Sequence, residues 1–150
     1  MNRIILLDSG PLGLITNPNA SLENRECNMW MQARLLQGDR VVIPAISDYE
    51  VRRELLRADK TKGLSRIESL KTIIGYLPLT TEALLQAAEF WAQARRVGKP
   101  TAPDSALDGD VILSAQAVEL SSYGYEVIIA TTNVKHLEMF AQAQLWREIN

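Results

Sequence analysis

Three acidic residues and one amide, far apart in the sequence, occupy positions from which their side chains could act together. Asp8 ends the first apolar run of the chain, and Glu50 lies shortly after the second. Asp110 begins a helical segment before the third apolar run, and Asn133 follows that run. The carboxyl ends of parallel strands share one rim, which is where such sheets bind ligands. Three carboxylates there would repel one another, and an oxygen-liganded cation, Mg²⁺ or Mn²⁺, would relieve the repulsion.

Each of these acids also has a local structural explanation. Asp8 could cap the helix that follows it. Ser47 and Glu50 fit the S-x-x-E capping box, and Asp110 could complement a helix dipole. If Pro44 is itself the first helical residue, Glu50 falls in the second turn, where its side chain is free to face a cleft. Taken singly, the acids leave both interpretations open.

The composition restricts the chemistry available to the chain. Its 150 residues include one cysteine, Cys27, and one histidine, His136. These numbers exclude a disulfide framework and a zinc site built from Cys and His, so that any catalysis would rely on carboxylates. No segment approaches the roughly 18 apolar residues of a membrane span. We expect a cytoplasmic protein with no membrane partner, folded as a single domain over residues 1–150.

Positive charge is concentrated in residues 52–71. The chain as a whole has a net charge of −2, which does not indicate a nucleic-acid partner. This one segment is nevertheless net positive, and its seven basic residues are Arg52, Arg53, Arg57, Lys60, Lys62, Arg66 and Lys71. A solvated helical face is the simpler explanation for such a run.

The elements that must position the acids alternate between strand and helix. This alternation predicts right-handed crossovers and a mainly parallel sheet covered on both faces, a three-layer α/β/α sandwich. Pro78 restricts the predicted strand that contains it, 76–79, to a sheet edge. The predicted strands are 3–7, 41–43, 76–79 and 126–130. Three of the predicted helices have both bounds: 22–36, 64–74 (after a break at Gly63) and 81–96. Four more are predicted from their starts: one with Ser9 as N-cap, one led by Pro44, one beginning at Asp110 and a short one from Lys135. A loop, 98–103, and a terminal segment, 145–149, complete the chain.

Four short motifs, taken in order, resemble those of the PIN-domain nucleases. They are IILLDSG at 4–10, VIPAISDYEVRREL at 42–55, DVILSAQA at 110–117 and IIATTN at 128–133. The resemblance extends from the first strand to the C-terminus. It implies a PIN-like fold and a metal-dependent ribonuclease that hydrolyses RNA phosphodiester bonds.

The resemblance also assigns roles to individual residues. The invariant acids of the family, which hold the metal and catalyse, correspond to Asp8, Glu50 and Asp110, and its fourth acidic position to Asn133. Asn133 is neutral, and could supply an amide oxygen or hold a metal-bound water. Ser9 matches the small hydroxyl residue that often follows the first acid. Asp108 is the reserve for the third ligand, with a helix cap as its alternative.

Two arginines are predicted to bind substrate. On a helix, Arg53 and Arg57 lie three and seven residues beyond Glu50 and hence on its face, where they could hold phosphates beside the scissile bond. Ordinary salt bridges with Glu54 or Asp110 are the alternative. Many relatives of the VapBC type are toxins silenced by an antitoxin protein, and many form homodimers. The resemblance therefore implies those partners as well.

Three rival functions share some of these sequence features. A haloacid-dehalogenase-like phosphatase requires an acid at position 10, where this chain has glycine. A nucleotide-binding module would require a G-x-G-x-x-G motif or a Walker lysine, whereas this chain has only Gly10 and Gly13 in a G-x-x-G pattern and no such lysine. The serious rival is a PIN-like module that binds RNA or a protein without cleaving. That rival predicts weak metal binding and an RNA affinity that Asp8→Asn does not change.

Overall fold

The structure, a computed structural model, describes residues 3–97 and 104–150, and for 104–106 it describes the backbone alone. The strands in these ranges are Arg3–Leu7 (β1), Arg40–Pro44 (β2), Gly75–Leu77 (β3), Glu126–Thr131 (β4) and Ala143–Leu145 (β5). The helices are Ser9–Thr16 (α1), Leu22–Leu36 (α2), Ala45–Arg57 (α3), Thr61–Lys71 (α4), Thr81–Val97 (α5) and Asp104–Ser122 (α6), followed by a 3₁₀ turn at Trp146–Glu148.

The described strands form one parallel sheet in the order β3-β2-β1-β4-β5. Successive residues of β1 point to opposite faces, so that Ile5 and Leu7 pack against α1 and α2. Ile4 and Leu6 pack on the other face, against α6. Each fully buried Leu or Ile side chain contributes about 1.5–3 kcal/mol. The predicted three-layer α/β/α sandwich is thereby confirmed.

Several predicted elements agree closely with the structure. β1 and α2 have the predicted bounds, and α2 ends before Gly38, whose φ of +94° suits glycine. β3 lies at the sheet edge, as Pro78 requires, although it ends before that proline. The loop predicted at 98–103 lies outside the described residues. None of the described helices is long and apolar enough to span a membrane.

Several predictions about the helices are wrong. Asp8, not Ser9, is the N-cap of α1, and Pro44 is the N-cap of α3 rather than its first residue. Gly63 lies inside α4, pressed against the Leu55 side chain, because close packing of two helices favours a residue without Cβ. The segment from Lys135 forms hydrogen-bonded turns instead of a helix, and β5 follows it.

The start of α6 is the correction that concerns the site. The sequence predicted that Asp110 begins this helix, whereas α6 begins at Asp104 and Asp110 lies in its second turn. Asp110 therefore stands too far from the helix N-terminus to be explained by the helix dipole, which acts within the first turn.

Candidate active site

Asp8 is held at the carboxyl end of β1 by two hydrogen bonds to its carboxylate. The backbone N–H of Ser9, the first residue of α1, donates to Oδ1 of the N-cap residue Asp8 at 2.7 Å. The hydroxyl of Thr131 donates to Oδ2 at 2.7 Å from the end of the neighbouring strand β4. Burial raises the pKa of Asp8 above its ordinary value, and the bonds from Thr131 and Ser9 offset part of that rise. The carboxylate is thus fixed in orientation and partly withdrawn from water.

Thr131 is a site residue that the sequence analysis missed. It is fully buried and directly follows Ala130, which the β1–β4 register pairs with Leu7. The Ala130 carbonyl accepts a 2.9 Å hydrogen bond from the Asp8 backbone N–H, which brings Asp8 beside Thr131. Its oxygen also accepts a hydrogen bond from the backbone N–H of Asn133 at 3.0 Å. The signal available in the sequence was the threonine directly after the buried strand, at the rim where Asp8 was expected.

Asn133 lies at the predicted rim, but its side-chain oxygen is already in use. The side chain is exposed, and Oδ1 accepts a 3.1 Å hydrogen bond from the backbone N–H of Lys135. Together with the bond to Thr131, this contact shapes the turn that leaves β4. In this conformation Asn133 stabilises the loop beside Asp8, and its Oδ1 is engaged by the Lys135 N–H.

Glu50 is placed by the first turns of α3. Because the helix begins at Ala45, Ser47 lies within it and makes no capping box with Glu50. The half-buried Glu50 carboxylate therefore extends from the second turn towards Asp8. Its pKa is raised, first by burial and then by the charge of Asp8, while Arg53 lowers it.

Asp110 completes the group from α6. Its half-buried carboxyl has a pKa raised to about 7, chiefly by burial and then by the charges of Asp8 and Glu50. Asp108, the reserve, is exposed, and two residues along a helix correspond to roughly 200° of rotation, away from this group. We refer to Asp8, Glu50 and Asp110 as the acidic site.

A glycine keeps room for one of these acids. A Cβ placed on Gly109 would overlap Oε2 of Glu50. The residue before Asp110 must therefore lack a side chain if Glu50 is to keep its position. The sequence analysis missed this role, because a lone glycine between two aspartates resembles a helix boundary.

A cavity of about 500 Å³ opens between α1 and α3, next to Glu50. Ser9 and Arg53 line it, as their predicted contact with substrate requires. The Arg53 guanidinium lies over the Tyr49 ring, 5.2 Å from its centroid. Arg57 does not line this cavity; it forms a salt bridge with Glu54 at 2.6 Å, which is the alternative noted for it from the sequence.

The donor atoms of the acidic site suit a hard divalent cation. Among residues 3–97 and 104–150, no three His, Cys, Asp or Glu side chains lie close enough together to bind one metal ion in the present conformation. The charge of Asp8 nevertheless raises the pKa of Glu50 and Asp110, which places the three carboxylates near one another. All their ligand atoms are oxygens, the donors that Mg²⁺ and Mn²⁺ prefer. The residues therefore fit such an ion.

The fold is PIN-like: a small parallel sheet with helices on both faces. No protein-family model and no curated protein sequence matches the chain. Solved structures do. A chain of VapBC-1 from nontypeable Haemophilus influenzae is 19% identical with a TM-score of 0.71, covering 97% of this chain and 99% of that one.

Two structures solved with DNA are similar to the same extent. A chain of DNA-bound VapBC from Salmonella typhimurium has a TM-score of 0.68 at 19% identity, covering 97% of this chain and 99% of its own length. A chain of VapBC2 from Rickettsia felis, bound to a fragment of its promoter, has a TM-score of 0.70 at 12% identity, covering 95% and 98%. At such identities the similarity establishes the fold.

Proposed function

We propose that this protein is a divalent-metal-dependent endoribonuclease that hydrolyses RNA phosphodiester bonds, with Asp8, Glu50 and Asp110 as its catalytic and metal-holding acids. One observation carries the proposal: carboxylates from three separate elements lie near the carboxyl rim of the sheet, where the charge of Asp8 raises the pKa of both Glu50 and Asp110. Such a concentration of negative charge destabilises the fold, and strongly shifted carboxylates of this kind are typical of functional sites. A bound cation would offset the repulsion, and carboxylate oxygens are suitable ligands for it.

Each residue of the site has a distinct part in this chemistry. Mg²⁺ or Mn²⁺, when bound, would neutralise charge on the phosphate and lower the pKa of the attacking water. Asp8 supplies a carboxylate whose orientation is fixed by Ser9 and Thr131. Glu50 and Asp110 bring the remaining negative charge, and must lose their protons before they bind a cation.

The cavity beside Glu50 provides for the substrate. Arg53 is placed to hold a phosphate next to the scissile bond, since it lines the cavity beside Glu50 and, among the described residues, forms no salt bridge within 4 Å. The Ser9 hydroxyl lies at the N-terminus of α1 and could donate a hydrogen bond to the same phosphate. Asn133 would act through its turn, or by releasing Oδ1 to a water on the metal. Arg57 must first leave Glu54 to contribute.

The similar structures suggest the biological setting. Each of the three is described as VapBC, and two of them were solved with DNA. We propose that this chain is the toxin of a toxin–antitoxin pair, with an antitoxin protein as partner and a homodimer as its assembly. We further propose that residues 1–150 act as one domain in the cytoplasm.

A cleavage assay on a mixed RNA pool tests the proposal. Wild type should cut in Mn²⁺ or Mg²⁺ and not in EDTA, and Asp8→Asn and Asp110→Asn should each lose cutting while remaining folded. Asp108→Asn is the matched control, since it removes an exposed carboxylate from the same helix. Absence of cutting by folded wild type in either metal would overturn the proposal in favour of a non-catalytic module that binds RNA or protein.

A further inference from the structure

The basic residues of 52–71 fall into two groups in the structure. Three have acidic partners: Arg52 with Asp48 and Glu68, Arg57 with Glu54, and Lys71 with Asp48 and Glu68. The other four, within the described ranges, have no carboxylate within 4 Å; they are Arg53, Lys60, Lys62 and Arg66. The segment is therefore not a uniformly solvated face, because its salt bridges neutralise only part of its positive charge.

The unpaired cations border three adjoining cavities. Arg53 and Lys60 line the cavity beside Glu50. Lys62 and Arg66 line a second cavity of about 340 Å³, and Arg66 with Arg25 lines a third of about 310 Å³. Pro18 borders all three, so the cavities adjoin one another at one turn of the chain. We call this surface, with Arg53, Lys60, Lys62, Arg66 and Arg25, the basic groove.

The turn that the groove surrounds is well fixed. The backbone N–H of Asn19 donates to Oδ1 of Asn17 at 2.9 Å, and Arg66 donates to the Asn17 carbonyl at 3.0 Å. The Asn24 side chain donates to the Asn19 carbonyl at 2.9 Å. The bond from Arg66 also holds α4 against this turn. The turn and the Arg66 side chain are therefore held in place before any ligand arrives, which reduces the entropy lost on binding.

Two features of the groove indicate the kind of ligand. The cations follow one another over three cavities, which suits a polymer with a regularly repeated negative charge. The first cavity also has apolar walls, Val51 and Leu55, against which an unstacked base could lie. The one acid there besides Glu50 is Glu54, which Arg57 already neutralises. A single strand offers both repeated phosphates and free bases, whereas a duplex hides its bases.

We propose that the basic groove binds the single-stranded RNA that flanks the scissile bond, leading it from the acidic site past Lys60 and Lys62 to Arg66 and Arg25. This inference rests on the proposed nuclease function. It assigns substrate binding to residues beyond the family motifs and commits the enzyme to substrates that are unpaired for several nucleotides on one side of the cut. Lys62 and Arg66 are positioning residues, remote from the reacting atoms.

The decisive measurement is the salt dependence of RNA binding. A labelled single-stranded 12-mer is titrated in EDTA with wild type, with Lys62→Gln/Arg66→Gln and with Arg40→Gln. Arg40 is the matched control, an exposed arginine at the amino end of β2, the opposite rim of the sheet. Each cation removed from phosphate contact should reduce the slope of log K against log salt by about 0.7. The double variant should thus lose about 1.4, which is roughly a 25-fold weaker affinity at 0.1 M salt if the proteins converge at 1 M.

Further variants protect this test from a folding artefact. Arg66 bonds to Asn17, so its loss could disturb the turn, whereas the single variant Lys62→Gln touches no such bond and should show half the change in slope. Thermal unfolding confirms that each variant is folded. An unchanged slope in Lys62→Gln and in the double variant would overturn the proposal, as would an equal loss in Arg40→Gln.

Competition and kinetics separate the remaining possibilities. An acidic peptide of equal charge that displaces the 12-mer at equal concentration would overturn the proposal in favour of an acidic protein ligand. In the metal-loaded enzyme, the double variant should raise KM for the 12-mer at least tenfold with kcat within about twofold. If wild type cuts no RNA, the nuclease function fails by itself, and the binding titration in EDTA still decides whether the groove holds RNA.

Discussion

The side-chain hydroxyl of Thr131, at the end of β4, donates a 2.7 Å hydrogen bond to Oδ2 of Asp8, at the end of β1. The two residues are 123 positions apart, and the parallel pairing of their strands brings them together. Through this bond the threonine stabilises the ionised form of Asp8 against the effect of burial. Thr131 is therefore a positioning residue for the first acid of the site.

Removing this hydroxyl should move the pH dependence of cleavage. Thr131→Val keeps the shape of the side chain but leaves the Asp8 carboxylate with one hydrogen bond fewer, so the pKa of Asp8 should rise further. Hydrogen bonds to charged groups contribute about 1.5–3 kcal/mol, which corresponds to a loss of tenfold or more in kcat/KM near neutral pH. The pH profile should show its acidic limb shifted to higher pH. Thr131→Ser, which retains a donor, should restore the limb, and a profile that does not move would contradict this role.

Stability of the metal-free protein should fall as pH rises towards neutrality. Between the ordinary value of 3.8 and about 7, folded Asp110 holds a proton that the unfolded chain has released. Folding therefore binds protons in this window, and the free energy of unfolding decreases with pH until the folded group has ionised. Asp110→Asn removes the effect and should stabilise the protein at pH 8 by roughly 1–2 kcal/mol, after allowance for solvent screening. Urea unfolding in EDTA at pH 5 and pH 8 measures the change. Asp108→Asn should not reproduce it.

Divalent cations should stabilise the folded protein, and more strongly at pH 8 than at pH 6. The acids must be ionised to bind the ion, and the raised pKa of Asp110 leaves it largely protonated below neutrality. At a hundred times the dissociation constant, the gain should be about 2.7 kcal/mol. A thermal shift with Mn²⁺ or Mg²⁺ at the two pH values measures this gain. Asp8→Asn should abolish it, and an equal shift in that variant would place the ion elsewhere.

Gly109→Ala should separate stability from activity. Alanine favours the helix by about 1 kcal/mol over glycine, but its Cβ would occupy the space of the Glu50 carboxylate. Because the tip of a glutamate moves easily, the protein should stay folded and at least as stable, while cleavage falls tenfold or more. Unfolding curves and kcat measured on one preparation test both halves. Ser121→Ala, at an exposed position of α6, controls for helix propensity alone.

The two arginines beyond Glu50 should differ in their effect on RNA binding. Arg53 lines the cavity beside the acidic site, whereas Arg57 is paired with Glu54. Arg53→Gln should weaken binding of a single-stranded RNA about five- to tenfold, since a charge-assisted contact to phosphate is lost. Arg57→Gln should have less than half of that effect on the free energy of binding. Equal losses would show that the Arg57–Glu54 pair opens when RNA binds.

The sequence predicts best those features that depend on local pattern. The bounds of β1 follow from one unbroken apolar run, and the edge position of β3 from Pro78. A parallel sheet then places Asp8 and the end of β4 at one rim, which accounts for much of the candidate site. The position of Glu50 in the second turn of α3 could also be predicted from the sequence, because Pro44 marks where that helix begins.

What the sequence could not predict depends on contacts between elements. Gly109 signals a break locally, but it lies within α6 because Glu50 approaches it from α3. The bond from Thr131 depends on the β1–β4 register. Arg57 lies on the predicted helix, and the sequence left open whether it pairs with Glu54 or faces the substrate, a choice that the side-chain rotamers decide. In each case, a neighbour distant in sequence or free to rotate decides the outcome.

The Asp8–Thr131 bond also determines when the candidate site can be completed during synthesis of the chain. Contacts between residues so far apart form late in folding, because a long loop must close first. A ribosome adds about 5–20 residues per second, so a nascent chain carries Asp8 for several seconds before Thr131 exists. In that interval the site lacks the partner that fixes its first acid. A nuclease with this topology would complete its active site only after nearly the whole chain has been made, because Asp8 and Thr131 lie near opposite ends of it.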